Sequence, residues 1–395
     1  MAATKLAPPV ALAALLLTGG ASAKVYVEWR PRISLMGGYN DNVLLNGTGA
    51  DGFGQVQPGL KLDLFGDHGM HLAADCQAGF ARLAHPEQFQ QASGAFAANE
   101  SCSLDTRVRV STRDKLDIRG SGTYAQDPFA ISGLGLLLRP GQNDVFVASL
   151  GGEIQHELSP RSEIDYGIDA KALAFGAGDP ANGYVLAPQI KYAWKTSPRS
   201  KWDLGVREQL FFGIGADVRS PRAPNGAPGG LLDQAHSLLL GYTYALTPYA
   251  NLIVRGGGVM VTGDHQAAMP TGRISIESYT PWTLLNFTVA HDLVIGPTSA
   301  GPVVGDVAEL ALIRDWEHFT AYVRGGIYRN ADVSRALELG ALGYGAGAGV
   351  GWKLTRDLRV EVAALRDARL FDATAFQVDR NVFQMRLTWE KARFE

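Results

Sequence analysis

Lys115-Leu116-Asp117-Ile118-Arg119-Gly120-Ser121-Gly122-Thr123-Tyr124 is the stretch that decides the fold. Leu116, Ile118, Gly120 and Tyr124 are apolar or small, while Lys115, Asp117, Arg119, Ser121 and Thr123 between them are polar. Successive side chains of a β-strand point to opposite faces, so this stretch has one oily face and one wet face. A helix would need apolar residues at steps of three and four, which are missing here. The pattern recurs. Ile164, Tyr166, Ile168, Ala170 and Ala172 alternate with Glu163, Asp165, Gly167, Asp169 and Lys171. Phe146, Ala148, Leu150 and Ile154 oppose Ser149, Glu153, Gln155 and Glu157, and Phe383, Met385, Leu387 and Trp389 alternate with Gln384, Arg386 and Thr388.

The connections between such stretches form a system. Tight-turn signals fall at Gly66–Gly69, Ser111–Asp114, Ser159–Ser162, Ser197–Ser200, Thr247-Pro248, Thr280-Pro281, Trp316–His318 and Thr355–Asp357. Two of them share the string Ser-Pro-Arg-Ser, whose residues set turn geometry. Between successive tight turns run two strand patterns joined by longer Gly-, Pro- and Asn-rich connections. These lie near Asn40–Gly52, Asp127–Gln142, Gly176–Gly183, Ala216–Leu232, Gly263–Pro270 and Gly296–Gly305. Alternating short and long connections predict an all-β, transmembrane, antiparallel up-and-down barrel, with short turns facing the periplasm. Two strands per tight turn plus one at each end give about 18 strands. Ala216–Leu232, with three prolines, reads first as an exposed loop and is also the best candidate for a lid or an inward-folding constriction.

The ends and the composition agree with export to a membrane. Lys5, an apolar run from Leu6 to Leu17 and Ala21-Ser22-Ala23 form a secretory signal layout, predicting a signal peptide at 1–23 and one barrel domain at 24–395. The expected location is therefore the bacterial outer membrane. Tyr192, Trp194, Trp202, Tyr242, Tyr244, Trp282, Trp316, Trp352 and Trp389 crowd near the tight turns, as an interfacial girdle would. A formal net charge of −3 excludes the strong basic excess of a nucleic-acid binder. Cys76 and Cys102 project from the apolar faces of neighbouring strands, a few residues out of alignment. Either a disulfide or two separate lipid-facing thiols fits that reading.

The polar faces define the candidate site. The residues expected to line the lumen are Lys115, Asp117, Arg119, Glu153, Glu157, Asp165, Asp169, Lys171, Lys191, Asp203, Arg207, Arg255, Glu309, Arg324, Arg359, Glu361, Arg380 and Arg386. Both signs are present, so a weakly charge-selective passage is expected, with outer-membrane lipids outside and a polysaccharide or small hydrophilic solute within. Gly343, Gly345, Gly347, Gly349 and Gly351 fall on the lumen face of one strand, where they leave space inside. Catalysis is not expected. The eight histidines are scattered, and Asp67-His68, Asp264-His265 and His291-Asp292 point to opposite faces of a strand. No zinc-ligand spacing, nucleophile elbow or phosphate loop is present, so neither metal nor cofactor is expected.

Three short motifs carry a resemblance. Gly38-Tyr39-Asn40-Asp41-Asn42-Val43 and Val56-Gln57-Pro58-Gly59-Leu60, with Arg386-Leu387-Thr388-Trp389 near the end, resemble outer-membrane β-barrels found with bacterial surface-polysaccharide systems. The resemblance implies a translocation pore for surface polysaccharide that cooperates with a periplasmic polysaccharide-export protein. One departure is that Phe394 is out of phase with the last lipid-facing residues, whereas Trp389 is in phase. Two other readings are a general diffusion porin for small hydrophilic solutes and a membrane-embedded hydrolase. The hydrolase would need a Ser, His or carboxylate cluster at the loop end, which the sequence does not display.

Overall fold

The computed structural model describes residues 25–42, 50–66, 69–85, 97–125, 145–175, 182–214, 230–295, 301–333, 341–371 and 376–394. Eighteen long strands run in chain order. They are β1 (Tyr26–Asn40), β2 (Asp51–Gly66), β3 (Met70–Leu83), β4 (Ala97–Arg109), β5 (Asp114–Ala125) and β6 (Val145–Ser159). Then come β7 (Ser162–Ala174), β8 (Gly183–Ser197), β9 (Ser200–Gly213), β10 (Gly230–Thr247), β11 (Ala250–Gly263) and β12 (Ala267–Tyr279). The last six are β13 (Thr283–Ile295), β14 (Pro302–Asp315), β15 (Phe319–Asp332), β16 (Ala341–Lys353), β17 (Leu358–Phe371) and β18 (Phe376–Glu390). Every strand pairs antiparallel with its sequence neighbours, and β1 pairs with β18 from Arg32↔Glu390 to Asn40↔Val382. The sheet is closed. A two-residue extension, β19 (Arg393–Phe394), sets Phe394 opposite Glu28, beyond the lipid-facing Trp389 that pairs with Ile33.

All eight tight-turn signals fall between paired strands. The two Ser-Pro-Arg-Ser strings fold alike. Arg161 and Arg199 each donate a backbone N–H to the hydroxyl two residues earlier, and the flanking serines bond at 2.7 and 2.6 Å. A hydroxyl that caps its own turn makes that turn a property of the local sequence. One long connection is corrected. The connection expected at Gly263–Pro270 shrinks to residues 264–266, because β11 runs through Gly263, β12 begins at Ala267, and Pro270 pairs with Gly258 inside the ladder.

The outer face is apolar. Leu35, Leu60, Leu150, Ile168, Val206, Leu240, Ile274, Val323, Val350 and Met385 are all exposed, and each shares its face with its ladder partner. A closed ladder satisfies the backbone internally, and an apolar belt outside it can face only hydrocarbon. The protein is an outer-membrane barrel. No helix among the described residues is long and apolar enough to cross a membrane; the strands do so instead.

Register settles the two cysteines. Cys76 stands directly opposite Cys102 rather than a few residues away, with Cα atoms 4.1 Å apart, and the structure joins them in a disulfide. Antiparallel residues that exchange no ladder hydrogen bonds approach to about 4.5 Å, which suits a bridge. Both lie in the lipid-facing row that includes Leu60 and Leu104. Two measurements test these assignments. Thiol titration of unreduced, denatured protein should find none; two free thiols would remove the bridge. Ile168→Arg, facing lipid, should lower unfolding stability in vesicles by about 2–4 kcal/mol. Asp169→Asn, facing the lumen, should cost less than about 0.5 kcal/mol. The reverse order would mean the faces are exchanged.

Candidate functional site

All eighteen ionisable residues singled out from the sequence stand on the face opposite the apolar belt, spread from β5 to β18. Many are joined into lattices lying along the wall. On β6–β8, the Lys191 ammonium reaches Asp165 at 2.7 Å and Glu153 at 3.4 Å. Beside it Lys201 bridges to Glu163 at 2.5 Å. Arg107 pairs with Asp117 and Arg119 with Asp105, at 2.8 and 3.6 Å. On the other side Arg359 lies 3.6 Å from Glu361, and Arg380 lies 3.5 Å from Asp367. Lys115, Glu157, Asp169, Lys171, Glu309, Arg324 and Arg386 make no ion pair among the described residues, although Arg386 points a guanidinium nitrogen at Met36 Sδ, 3.7 Å away.

Several bonds skip a strand, and glycine permits this. Neighbouring strands lie about 4.8 Å apart, so a partner two strands away is reached most directly across a residue with no side chain. Arg32 on β1 crosses β2 to Asp75 on β3, at 2.5 Å. A Cβ at Gly59 between them would sit 2.7 Å from Arg32 Nε. Asp203 on β9 approaches Arg255 on β11 to 3.7 Å over Gly241, where a Cβ would collide with the Asp203 carboxylate. The Tyr322 hydroxyl donates to Glu361 at 3.0 Å across β16. Gly349 lies under its ring, with 2.6 Å between a built Cβ and Tyr322 Cζ. The glycine stripe 343–351 therefore does not leave the lumen empty. Tyr322 covers Gly349 and Arg359 covers Gly351.

The outer half of the lumen is narrowed by an element the sequence did not mark. Arg207 on β9 forms a 2.6 Å ion pair with Asp292 on β13. Gln209 Nε2 reaches the Leu293 carbonyl at 3.5 Å, and Thr271 donates to the His291 carbonyl at 3.0 Å. Three strands separate β9 from β13 along the wall, so the Arg207 and Gln209 contacts close only through the interior, while the Thr271 bond ties β13 to its neighbour β12. Leu293 and Val304 pack with Val185, Phe211, Ala235, Val259 and Val261, which are inward residues of β8–β11. Gly301 lies against Asp233 and His265, with 3.4 Å between a built Cβ and Asp233 Oδ2. The outer end of the β13–β14 hairpin is thus folded inward and pinned to the β8–β11 wall. Of the expected outer connection Gly296–Gly305, residues 296–300 lie outside the described residues and Pro302–Gly305 belong to β14. Of Ala216–Leu232, the expected constriction, residues 216–229 lie outside the described residues.

The histidines are committed elsewhere than their sequence neighbours suggest. His265 bonds to Asp233 through both its backbone N–H and Nδ1, at 2.7 and 2.9 Å, rather than to Asp264. His85 repeats this bracket with Asp51, at 2.8 and 2.9 Å. His291 meets Asp306 at 2.5 Å, with Arg329 on the same carboxylate at 3.1 Å. These carboxylates hold strand ends together. Sequence parity marked the inward rows that include Glu163 and Lys201, but no local signal marks Asp292 or Asp233, whose partners lie 85 and 32 residues away.

No family model and no curated protein matches the chain. Among solved structures, OpdK of Pseudomonas aeruginosa with vanillate is 10% identical, with TM-score 0.43, covering 93% of this chain and 99% of that one. A BenF-like porin of Pseudomonas fluorescens Pf-5 is 9% identical, with TM-score 0.43 and coverage of 94% and 99%. OccK2 (OpdF) of Pseudomonas aeruginosa in complex with glucuronate is 11% identical, with TM-score 0.43 and coverage of 94% and 98%. If the hairpin sets the bore, Arg207→Ala or Asp292→Ala should raise single-channel conductance by roughly half or more, since removing one partner strands the other charge. Unchanged conductance in both would show that the narrowest point lies elsewhere.

Proposed function

We propose that the protein is a passive outer-membrane channel for small hydrophilic solutes. The observation that carries this reading is the lumen itself, a wall of paired charges of both signs narrowed by a hairpin pinned across it. Paired charges offer hydrogen-bonding groups to a passing solute without the field of a strong ion filter. Export of a surface polysaccharide, with its periplasmic partner, draws no support from this geometry. The motifs behind that expectation meet at one place, the closing seam, where β1 pairs with β2 on one side and β18 on the other. There Arg386 faces Met36, Gln57 faces Ser34 and Gly38 faces Phe53, which is strand pairing rather than polymer recognition.

Reconstitution into planar bilayers tests the proposal. A steady ohmic conductance without added sugar, with liposome swelling that falls off between monosaccharides and oligosaccharides, is the expected result. A channel that stays closed to ions, or admits long oligosaccharides as readily as glucose, would overturn it.

A further inference from the structure

The ladder between β12 and β13 stops before either strand does. Its last pair is Gly272↔His291. Yet β12 reaches out to Ala267, still paired with Val261 of β11, and β13 runs on to Ile295, still paired with Pro302 of β14. Hydrogen-bond parity locates the failure. Tyr279 donates its N–H to the Tyr249 carbonyl at 2.8 Å, so the odd residues of β12 bond toward β11 and the even ones toward β13. From Ser278↔Leu285 to Gly272↔His291 every second pair therefore exchanges bonds, and the next such pair would be residue 270 with Leu293. Residue 270 is a proline and has no N–H to give. Leu293 bonds elsewhere: its carbonyl accepts Gln209 Nε2 of β9 at 3.5 Å, and its N–H goes to the Asp292 carboxylate at 2.8 Å. Its side chain continues the outward row of Leu285, Phe287 and Val289, yet it is buried with Val185, Phe211 and Val259 on the lumen side of β8–β11. The strand leaves the wall at the residue its neighbour cannot bond.

We infer that Pro270 sets the bore: by withholding one ladder donor it lets the outer ends of β13 and β14 leave the wall for the lumen. The inference rests on the reading of the protein as a passive channel. Two other wall prolines show what else the device needs. Pro58 in β2 and Pro188 in β8 lie eight or nine residues from the tight-turn ends of their strands, as Pro270 does. Each interrupts the ladder to the next strand, which lapses between Gly59↔Gln77 and Val56↔Phe80 and between Gln189↔Arg207 and Leu186↔Leu210. In both places pairing resumes, because β2 has seven residues on the outer side of Pro58 and β8 has five beyond Pro188. β12 has only three, Ala267–Met269, of which Ala268 alone has the parity to bond β13. Too little ladder remains to draw β13 back. The Arg207–Asp292 ion pair and the apolar cluster around Leu293 then hold it inside. Pro270 is thus a positioning residue, acting on the passage through the strand ends it releases.

The test combines planar-bilayer conductance with a crosslink. Pro270→Val and Pro270→Ala each restore the N–H, and having both keeps the result independent of whether one folds, which heat-modifiable mobility reports. Each folded variant should raise conductance about 1.5-fold or more, because the narrowing element withdraws into the wall. Ala268→Cys and Ile295→Cys would be direct partners if the ladder ran on. Copper-phenanthroline oxidation should bridge them in the Pro270→Val background and leave them unbridged with Pro270 in place. Pro188→Val, at the same distance from its turn, should leave conductance at the wild-type value. Unchanged conductance in the folded Pro270 variants, a rise without the crosslink, a bridge formed with Pro270 in place, or an equal rise in Pro188→Val would each overturn the inference. A wild type that passes no ions would end the channel reading instead, and the crosslink would still decide whether Pro270 places β13.

Discussion

Every backbone N–H and C=O in a bilayer must find its partner inside the protein, and the β1–β18 ladder is where this chain meets that demand. Without it, two strand edges would present unpaired groups to hydrocarbon over nine residue pairs. With it, strand count, face assignment and the existence of a lumen follow together. Even the short extension β19 belongs to this logic, because it prolongs the seam along Glu28 and Trp29. The motifs at residues 38–43, 56–60 and 386–389 are read best as parts of that closure.

Closure also divides the chemistry. On the outside there is nothing to hydrogen-bond, so the outward rows are mostly apolar, and the charges they do carry, at Glu208–His236, Arg366–Asp379 and His291–Asp306–Arg329, are paired and stand in the outer half of their strands. On the inside, charges are cheap because water is present, but they must not block the passage. The wall answers this by laying side chains along itself. Arg32, Asp203 and Tyr322 each run sideways over a glycine toward a partner two strands off. Among the described residues, the side chains that reach across the bore belong to a separate device, the outer ends of β13 and β14 held by Asp292 and Leu293.

How much of this was readable in advance depended on the range of each interaction. Period-two alternation is a property of single strands, so Lys115–Tyr124 announced both its conformation and its faces. Turns capped by their own serines, such as Ser159–Ser162, were equally local. Register was not. The offset assigned to Cys76 and Cys102 was wrong because pairing depends on how the connection at 84–96 takes up length, which composition does not reveal. Glycine and proline misled at Gly263–Pro270, since a barrel wall tolerates both inside a strand. Neighbours in a strand point apart, so the adjacent Asp-His pairs could be set aside as partners, but the carboxylates that do meet the histidines, Asp233 for His265 and Asp306 for His291, come from other strands and carried no local signal. The hairpin pin was least legible, because Arg207 and Asp292 meet only after the sheet has curved around on itself.

The disulfide's position has a kinetic consequence. Thiol–disulfide exchange begins with a thiolate, an anion that hydrocarbon excludes. Cys76 and Cys102 sit in a lipid-facing row midway along β3 and β4, so no water-borne thiol can deliver that anion to their sulfurs while the barrel stands in its membrane. The bond is shielded less by its own strength than by its solvent, and its lifetime becomes that of the inserted barrel.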